Sequence, residues 1–222
     1  MIIVIDGPAG SGKSSTAKTI ANRINLQYLD SGALYRAVTW LWINAGKPEL
    51  SKFFDMLTGV HLQVEYIDDV FNVKANGKDL TTQIRSQEVA GHVSEIASLP
   101  EIRSFVNRFM KQLVEKGIYI ADGRDLGTAV FPGAFLKFYM DASLEERAKR
   151  RFRELENNGQ EVTFNEVKEN LRKRDWKDQS RKSDPLKKAD DAILIDTTGK
   201  TFDEQITEIT KIIEEELNKN IN

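Results

Sequence analysis

A chain of 222 residues, 40% apolar and 30% charged, has the composition of a folded globular protein, which excludes disordered and collagen-like chains. Thirty-two Lys and Arg against 34 Asp and Glu leave a net charge of −2, so no global positive field holds a nucleic-acid backbone and any polyanion site has to be local. Zero cysteines and only two histidines, His61 and His92, remove disulfides, thiolate nucleophiles, Cys zinc sites and iron–sulfur clusters and argue against a His-rich metal site.

The chain opens on a short apolar run, Ile2 to Ile5, closed by Asp6. Such runs read as buried parallel strands. Directly after it comes Gly7-Pro8-Ala9-Gly10-Ser11-Gly12-Lys13-Ser14, a full G-x-x-x-x-G-K-S match, followed at once by a helical pattern. Strand before and helix after are the two contexts that make this motif a phosphate loop. Its glycines let successive N–H groups turn inward on phosphate oxygens, and the positive end of the helix dipole adds to the anion hole. Lys13 is then expected on the β and γ phosphates and the Ser14 hydroxyl on Mg²⁺.

Leu26 to Leu29 before Asp30 is a weaker strand, and Arg36 follows Asp30-Ser31-Gly32. From 60 to 80 the period changes to two: Val60, Leu62, Val64 and Tyr66 alternate with polar neighbours, Asp68-Asp69 offers a turn, and Phe71 and Val73 lead to Asn76-Gly77. This predicts a small antiparallel insert. Gln83 to Lys116 is helical in pattern, punctuated by Pro100.

Strands return at Ile118–Ala121 before Asp122, Phe135–Met140 before Asp141 and Ile193–Ile195 before Asp196. The β–α alternation predicts a doubly wound α/β fold with a five-stranded parallel sheet. Ligands of open α/β sheets bind beyond the strands' carboxyl ends, so Asp122 and Arg124, in Asp122-Gly123-Arg124-Asp125, are expected to face the crevice of Lys13. Asp122 is a candidate for the metal's water shell; for Arg124, a surface ion pair with Asp125 is the plain alternative.

Three helix starts carry the capping-box pattern, Ser143 with Glu146, Thr163 with Glu166 and Thr201 with Glu204. After the first comes a basic stretch, Arg147, Lys149, Arg150, Arg151 and Arg153, running toward Asn157-Asn158-Gly159. It reads as a solvated face or as a lid bringing guanidinium groups over transferring phosphates, and the lid is preferred because aromatic neighbours for RNA are lacking. Arg174, Asp178 and Arg181, at i, i+4 and i+7, would share one helical face as cation, anion, cation, either as a solvated ladder or as an anion site. In the last helix Phe202, Ile206, Ile209, Ile213 and Leu217 predict a face docked on the core. Trp40, Trp42 and Trp176 are expected to pack, and both histidines to be structural.

Together these motifs resemble the bacterial cytidylate kinases of the nucleoside monophosphate kinase group over nearly the whole chain. Ile5-Asp6-Gly7-Pro8 with the loop, Leu29-Asp30-Ser31-Gly32-Ala33-Leu34-Tyr35-Arg36, Ala121-Asp122-Gly123-Arg124-Asp125-Leu126-Gly127-Thr128, and Lys173-Arg174-Asp175 leading to Asp178 and Arg181 stand in the family's order. The resemblance implies transfer of a phosphoryl group from ATP, with Mg²⁺, to CMP or dCMP. It implies a core at 1–36, 117–146 and 183–222, a monophosphate-binding region at 37–116 containing the insert, and a helical lid with the following substrate helix at 147–182. Carried over by position, Lys13, Arg124 and Arg181 are the catalytic cations, and Gly7 to Ser15 with Arg150 and Arg151 hold ATP. Arg36, Arg124 and Arg181 grip the CMP phosphate with Ser31 alongside, Arg174 and Asp178 contact the pentose, and Ser94, Arg103 and Asp125 read cytosine. An Asp and an Arg suit that base, which offers an N4 amino donor and an N3 acceptor where uracil reverses the roles.

Two other readings remain at this level: another small P-loop kinase acting on UMP or a sugar acid, and a non-catalytic nucleotide-binding switch. The apolar runs, such as Ala37 to Ile43, are far short of the roughly 20 residues that cross a bilayer, and no signal peptide is expected before Asp6. A cytoplasmic monomer acting on small molecules, without nucleic-acid or membrane partners, is the expectation.

Overall fold

Each apolar run that ends in aspartate is a strand, and four of the helices follow such strands directly. The computed structural model describes residues 1–67, 70–157 and 159–219. In chain order the elements are β1 (Ile2–Asp6), α1 (Lys13–Arg23), β2 (Gln27–Asp30), α2 (Ser31–Asn44), α3 (Leu50–Leu57), β3 (Leu62–Ile67), β4 (Val70–Ala75), β5 (Lys78–Asp79), α4 (Gln87–Ile96), α5 (Pro100–Leu113), β6 (Tyr119–Gly123), β7 (Leu136–Asp141), α6 (Leu144–Asn157), α7 (Phe164–Ser180), β8 (Ile193–Asp196) and α8 (Phe202–Lys219). A 3₁₀ turn lies at Gln83–Arg85 and a π-helical turn at Leu126–Val130. No helix among the described residues is long and apolar enough to cross a membrane.

The parallel sheet has the strand order β2-β6-β1-β7-β8. Its register sets Asp6 opposite both Gly123 and Tyr139, so the polar ends of β1, β6 and β7 finish at one end of the sheet. The centre is dry: Ile3, Val4, Ile5, Ile120, Ala121, Phe138 and Met140 are fully buried. The chain divides into two compact units, Met1–Tyr28 with Ile118–Asn222, and Leu29–Gly117.

The second unit holds the expected antiparallel insert. Strands β3, β4 and β5 form a three-stranded sheet, with Leu62 opposite Ala75 and Ala75 opposite Lys78. Asn76 (φ 49°) and Gly77 (φ 79°) form the two-residue turn between β4 and β5, a backbone that Asn-Gly adopts at little strain. Asp68 and Asp69, read as a turn, lie outside the described residues, as does Asn158. Pro100 is the first residue of α5, where its missing N–H is harmless.

Two of the three capping boxes close in full, Thr163 with Glu166 and Thr201 with Glu204. In each, the returning bond from the Thr backbone N–H holds the Glu below its ordinary pKa. The third is half made. The Ser143 hydroxyl accepts the Glu146 N–H, but the Ser143 N–H goes to the Thr198 hydroxyl at 3.1 Å and the Glu146 carboxylate turns to Arg150. On α8, Ile206, Ile209 and Ile213 are buried as expected, whereas Phe202 is exposed. Trp176 departs further: 68% exposed on α7, it does not pack.

Gly7 shows why the first loop residue has no side chain. A Cβ there would lie 2.1 Å from the Met140 carbonyl oxygen on the neighbouring strand β7. Backbone faces backbone, so relief requires breaking the β1–β7 ladder. Gly7→Ala is expected to lower stability by about 3 kcal/mol or more, the upper range for overpacking. A urea midpoint equal to wild type would contradict this.

Candidate active site

The phosphate loop connects β1 to α1, and its curl depends on backbone that only glycine takes easily. Gly10 (φ 75°) and Gly12 (φ 88°) are both left-handed, and Gly12 caps α1 without a side chain. Lys13 and Ser14 therefore open α1, whose unpaired N–H groups and dipole face the loop. Lys13 is buried and its Nζ donates to the Pro8 carbonyl at 2.9 Å. Burial, with the Arg124 charge nearby, pulls its pKa down to about 7.

The end of β6 brings Asp122 to the start of α1. The Ser14 hydroxyl donates to Asp122 Oδ2 at 2.5 Å, and the Tyr28 hydroxyl donates to Oδ1 at 2.6 Å. A hydroxyl and a carboxylate side by side form the hard oxygen set that Mg²⁺ prefers, so the residues present fit that ion. Among the described residues no group of three or more His, Cys, Asp or Glu could hold a metal by themselves. Magnesium sites of this kind are completed by phosphate oxygens and water.

Beyond β6 the chain makes its π-helical turn, and Asp6 fixes it. The Asp6 carboxylate accepts the Leu126 N–H at 2.9 Å and the Gly127 N–H at 2.7 Å. Burial raises its pKa to about 6 despite those bonds. Gly127 belongs to the arrangement, since a Cβ there would lie 3.3 Å from Asp6 Oδ2 and 3.2 Å from the Lys137 stem. Asp6 carries no signal of this role in the sequence beyond ending a strand.

Arg124 and Asp125 link β6 to that turn and do not pair with each other. Arg124 Nε donates to Asp178 Oδ2 at 2.9 Å and Nη1 to the Gly7 carbonyl at 2.7 Å. Asp125 Oδ1 instead accepts from Arg181 Nη2 at 2.5 Å, a pair only 8% and 6% exposed on the two side chains. The expected single helical face is corrected here, because α7 stops at Ser180. Arg181 leaves the helix with ψ 144° and its Nε donates to the Asp184 carbonyl. Arg174 and Asp178 remain on α7; Arg174 also acts on Lys13 electrostatically.

The basic stretch on α6 separates into distinct environments. Arg147, read as part of a lid, is buried and bonded wholly to protein. Arg150 donates to the Thr197 hydroxyl and carbonyl, and Arg151 pairs with Glu154 on the surface. Both line a cleft of about 330 Å³ with Gly10, Gly12, Ser15 and Phe202. That cleft adjoins the phosphate loop.

The second unit carries the other candidates. Asp30 caps α2, accepting the Ala33 N–H at 2.7 Å, and its carboxylate holds Arg36 at 3.3 Å. Arg36 Nε is buried and unbonded among the described residues. Ser31 is buried at the start of α2 and Ser94 half-buried on α4. Arg103, on α5 and only 2% exposed, lies over the Tyr35 ring at 5.5 Å and reaches the Ala97 carbonyl. His92 touches Lys47 and the edge of Trp42, and His61 is exposed.

A model of the cytidylate kinase family matches residues 3–215. The chain belongs to that family. It is 40% identical to a cytidylate kinase of Carboxydothermus hydrogenoformans over 96% of its length and 97% of that protein. It is 44% identical to a bifunctional pantoate ligase/cytidylate kinase of Prochlorococcus marinus, covering 95% of this chain but 42% of the longer protein. Among solved structures, a protein of Thermus thermophilus is similar with a TM-score of 0.50 at 18% identity, covering 98% of this chain and 97% of the other. An uncharacterized protein of Eubacterium ventriosum is similar with a TM-score of 0.53 at 15% identity, covering 96% and 98%. These structural likenesses bear on the fold alone. The parallel sheet, the phosphate loop and the antiparallel insert of this chain are those expected from the sequence.

Proposed function

We propose that this chain transfers the γ-phosphoryl group of ATP to CMP or dCMP, giving ADP and CDP or dCDP. The observation that carries the reading is the direct bond from Arg124 to the phosphate loop at Gly7, which sets a guanidinium group beside the Lys13 anion hole. Two polyanions have to be brought together against their repulsion, and these cations supply the counter-charge. Phosphoryl transfer needs little covalent help, so the CMP phosphate oxygen, already anionic near neutral pH, attacks the γ-phosphorus in line without a general base.

In this reading Lys13, Arg124 and Arg181 neutralise charge on the transferring group. Loop residues Gly7 to Ser15 with the cleft at Arg150 and Arg151 hold ATP. Ser14 and, through water, Asp122 would hold Mg²⁺, which when bound offsets charge on the β and γ phosphates. For CMP, the residues carried over by position are Ser31, Arg36, Ser94, Arg103, Arg124, Asp125, Arg174, Asp178 and Arg181. The protein is assigned to the cytoplasm as a monomer acting on small molecules, with gel filtration the check on its assembly.

The test is ADP formation from ATP with CMP, dCMP, UMP or AMP added singly. CMP and dCMP are expected to drive turnover; preference for UMP would indicate another kinase, and slow turnover indifferent to every monophosphate a switch. Asp125→Ala in the same assay is expected to reduce the preference for CMP over UMP by about tenfold or more. A carboxylate facing uracil O4 opposes two acceptors, worth on the order of 1 to 3 kcal/mol. A preference unchanged by the substitution would remove Asp125 as a base reader.

A further inference from the structure

The backbone of Ala9, near the apex of the phosphate loop, is engaged on both sides by side chains far away in sequence. Its N–H donates to Asp175 Oδ1 at 3.0 Å, and its carbonyl accepts from Arg147 Nη1 at 2.8 Å. The same Arg147 nitrogen donates to Asp175 Oδ2 at 2.6 Å, and Arg147 Nε to the Ala142 carbonyl at 2.9 Å. One buried ion pair, from α6 and α7, thus closes a ring around one residue of the loop.

The surroundings keep the ring dry and in place. Ala9, Ala148, Val167 and Leu171 form a buried cluster over which Phe152 and Phe164 pack. Gly10 sits against it: a Cβ there would be 3.4 Å from the Arg147 carbonyl oxygen and 3.5 Å from Leu171. One turn further along α7, Asp178 reaches the loop again, through Arg124 to the Gly7 carbonyl. Helix α7 therefore controls the loop at Gly7 and at Ala9.

A buried ion pair is a weak source of net stability, because desolvating both charges offsets most of their attraction, and apolar residues of like volume often serve as well. Its directional bonds are what an apolar pair cannot supply. We infer that Arg147 and Asp175 are positioning residues for ATP, fixing the Ala9 peptide so that the loop's inward-turned amides begin at Gly10 and keep their aim. This rests on the reading of the loop as an ATP site. It removes Arg147 from any mobile lid and takes the Ala9 amide out of the phosphate-binding set.

The test uses the full chain and three measurements. Arg147→Met keeps the stem but leaves Asp175 buried without its cation; the double variant Arg147→Met with Asp175→Asn is neutral and close in shape, and stands in if the single variant fails to fold. Misplacing a reacting group by about 1 Å costs on the order of 100-fold, so a folded variant is expected to lose at least about tenfold in kcat. Calorimetry should show at least about tenfold weaker binding of a non-hydrolysable ATP analogue, while KM for CMP stays within about twofold. A folded variant that binds the analogue within about twofold of wild type, or that loses CMP affinity as strongly as ATP affinity, overturns the inference. In the wild-type protein the Ala9 amide should be protected from hydrogen exchange with and without nucleotide; exchange at an unprotected rate in the free protein overturns it without any variant. Absence of CMP-dependent turnover in wild type would sink the kinase reading instead, and leaves the exchange result to decide on the clamp.

Discussion

Lys13→Met should lower kcat by about 10³-fold while CMP affinity, read by calorimetry, stays within about twofold. The lysine is held by the first turn of α1 and by the Pro8 carbonyl, and the proposed reaction sets its charge against the transferring phosphoryl group. Interactions made only as charge shifts in the transition state appear in kcat, whereas uniform binding appears in KM. Methionine keeps the length and the buried stem, so the loop keeps its packing. Turnover within about tenfold of wild type would end the assignment of Lys13 to the transferring group.

The same variant has a signature in the free protein. Burial and the Arg124 charge hold the folded Lys13 pKa down near 7, whereas in the unfolded chain it returns to about 10.5. Between those values the unfolded chain binds more protons, so this residue's contribution makes stability rise with pH there and flatten outside that window. The slope is at most about 1.4 kcal/mol per pH unit. Wild type should therefore gain on Lys13→Met between about pH 7 and about pH 9 in urea melts, and a difference that stays constant would show that the folded lysine titrates normally.

What the sequence made legible is what depends on neighbours. The phosphate loop was readable because its glycines, lysine and serine are consecutive and its strand and helix adjoin it. The β4–β5 turn was readable because Asn76-Gly77 suits a backbone positive in φ at both residues. Asp6, Asp122 and Asp141 announced strand ends because a charged residue closes a buried parallel run. The pairings were not legible. Asp175 and Ala9 lie 166 positions apart, and nothing local marks an arginine in a basic stretch as buried rather than solvated. The half-made box at Ser143 has the same cause, since its N–H is taken by Thr198, 55 positions away. The end of α7 is not legible either: helical spacing continues through Arg181, while the nearest breaker, Pro185, stands four positions later.

That early end of α7 underlies the second large effect. Leaving the helix lets Arg181 turn its guanidinium group back to Asp125, while its Nε is fixed by the Asp184 carbonyl. Asp125 is fixed in turn, because Asp6 holds the two amides that follow it. Arg181 is thus aimed by a chain of bonds that begins on β1 at the entrance to the phosphate loop. Arginines that neutralise a transferring phosphoryl group are worth about 10³ to 10⁵ in rate, so Arg181→Met is expected to reduce kcat by about 10³-fold and to raise KM for CMP. It also takes the Arg181 guanidinium from the buried Asp125 carboxylate, so the variant is expected to unfold at lower urea than wild type. Arg181→Lys should recover little of the rate, since one ammonium group cannot span the Asp184 carbonyl and the Asp125 carboxylate in the fixed directions of a guanidinium fork. The two consequences separate experimentally. If Arg181→Met unfolds earlier in urea yet turns over CMP within about tenfold of wild type, Arg181 serves only to neutralise Asp125, and the charge on the transferring group has to be met by Lys13 and Arg124 alone.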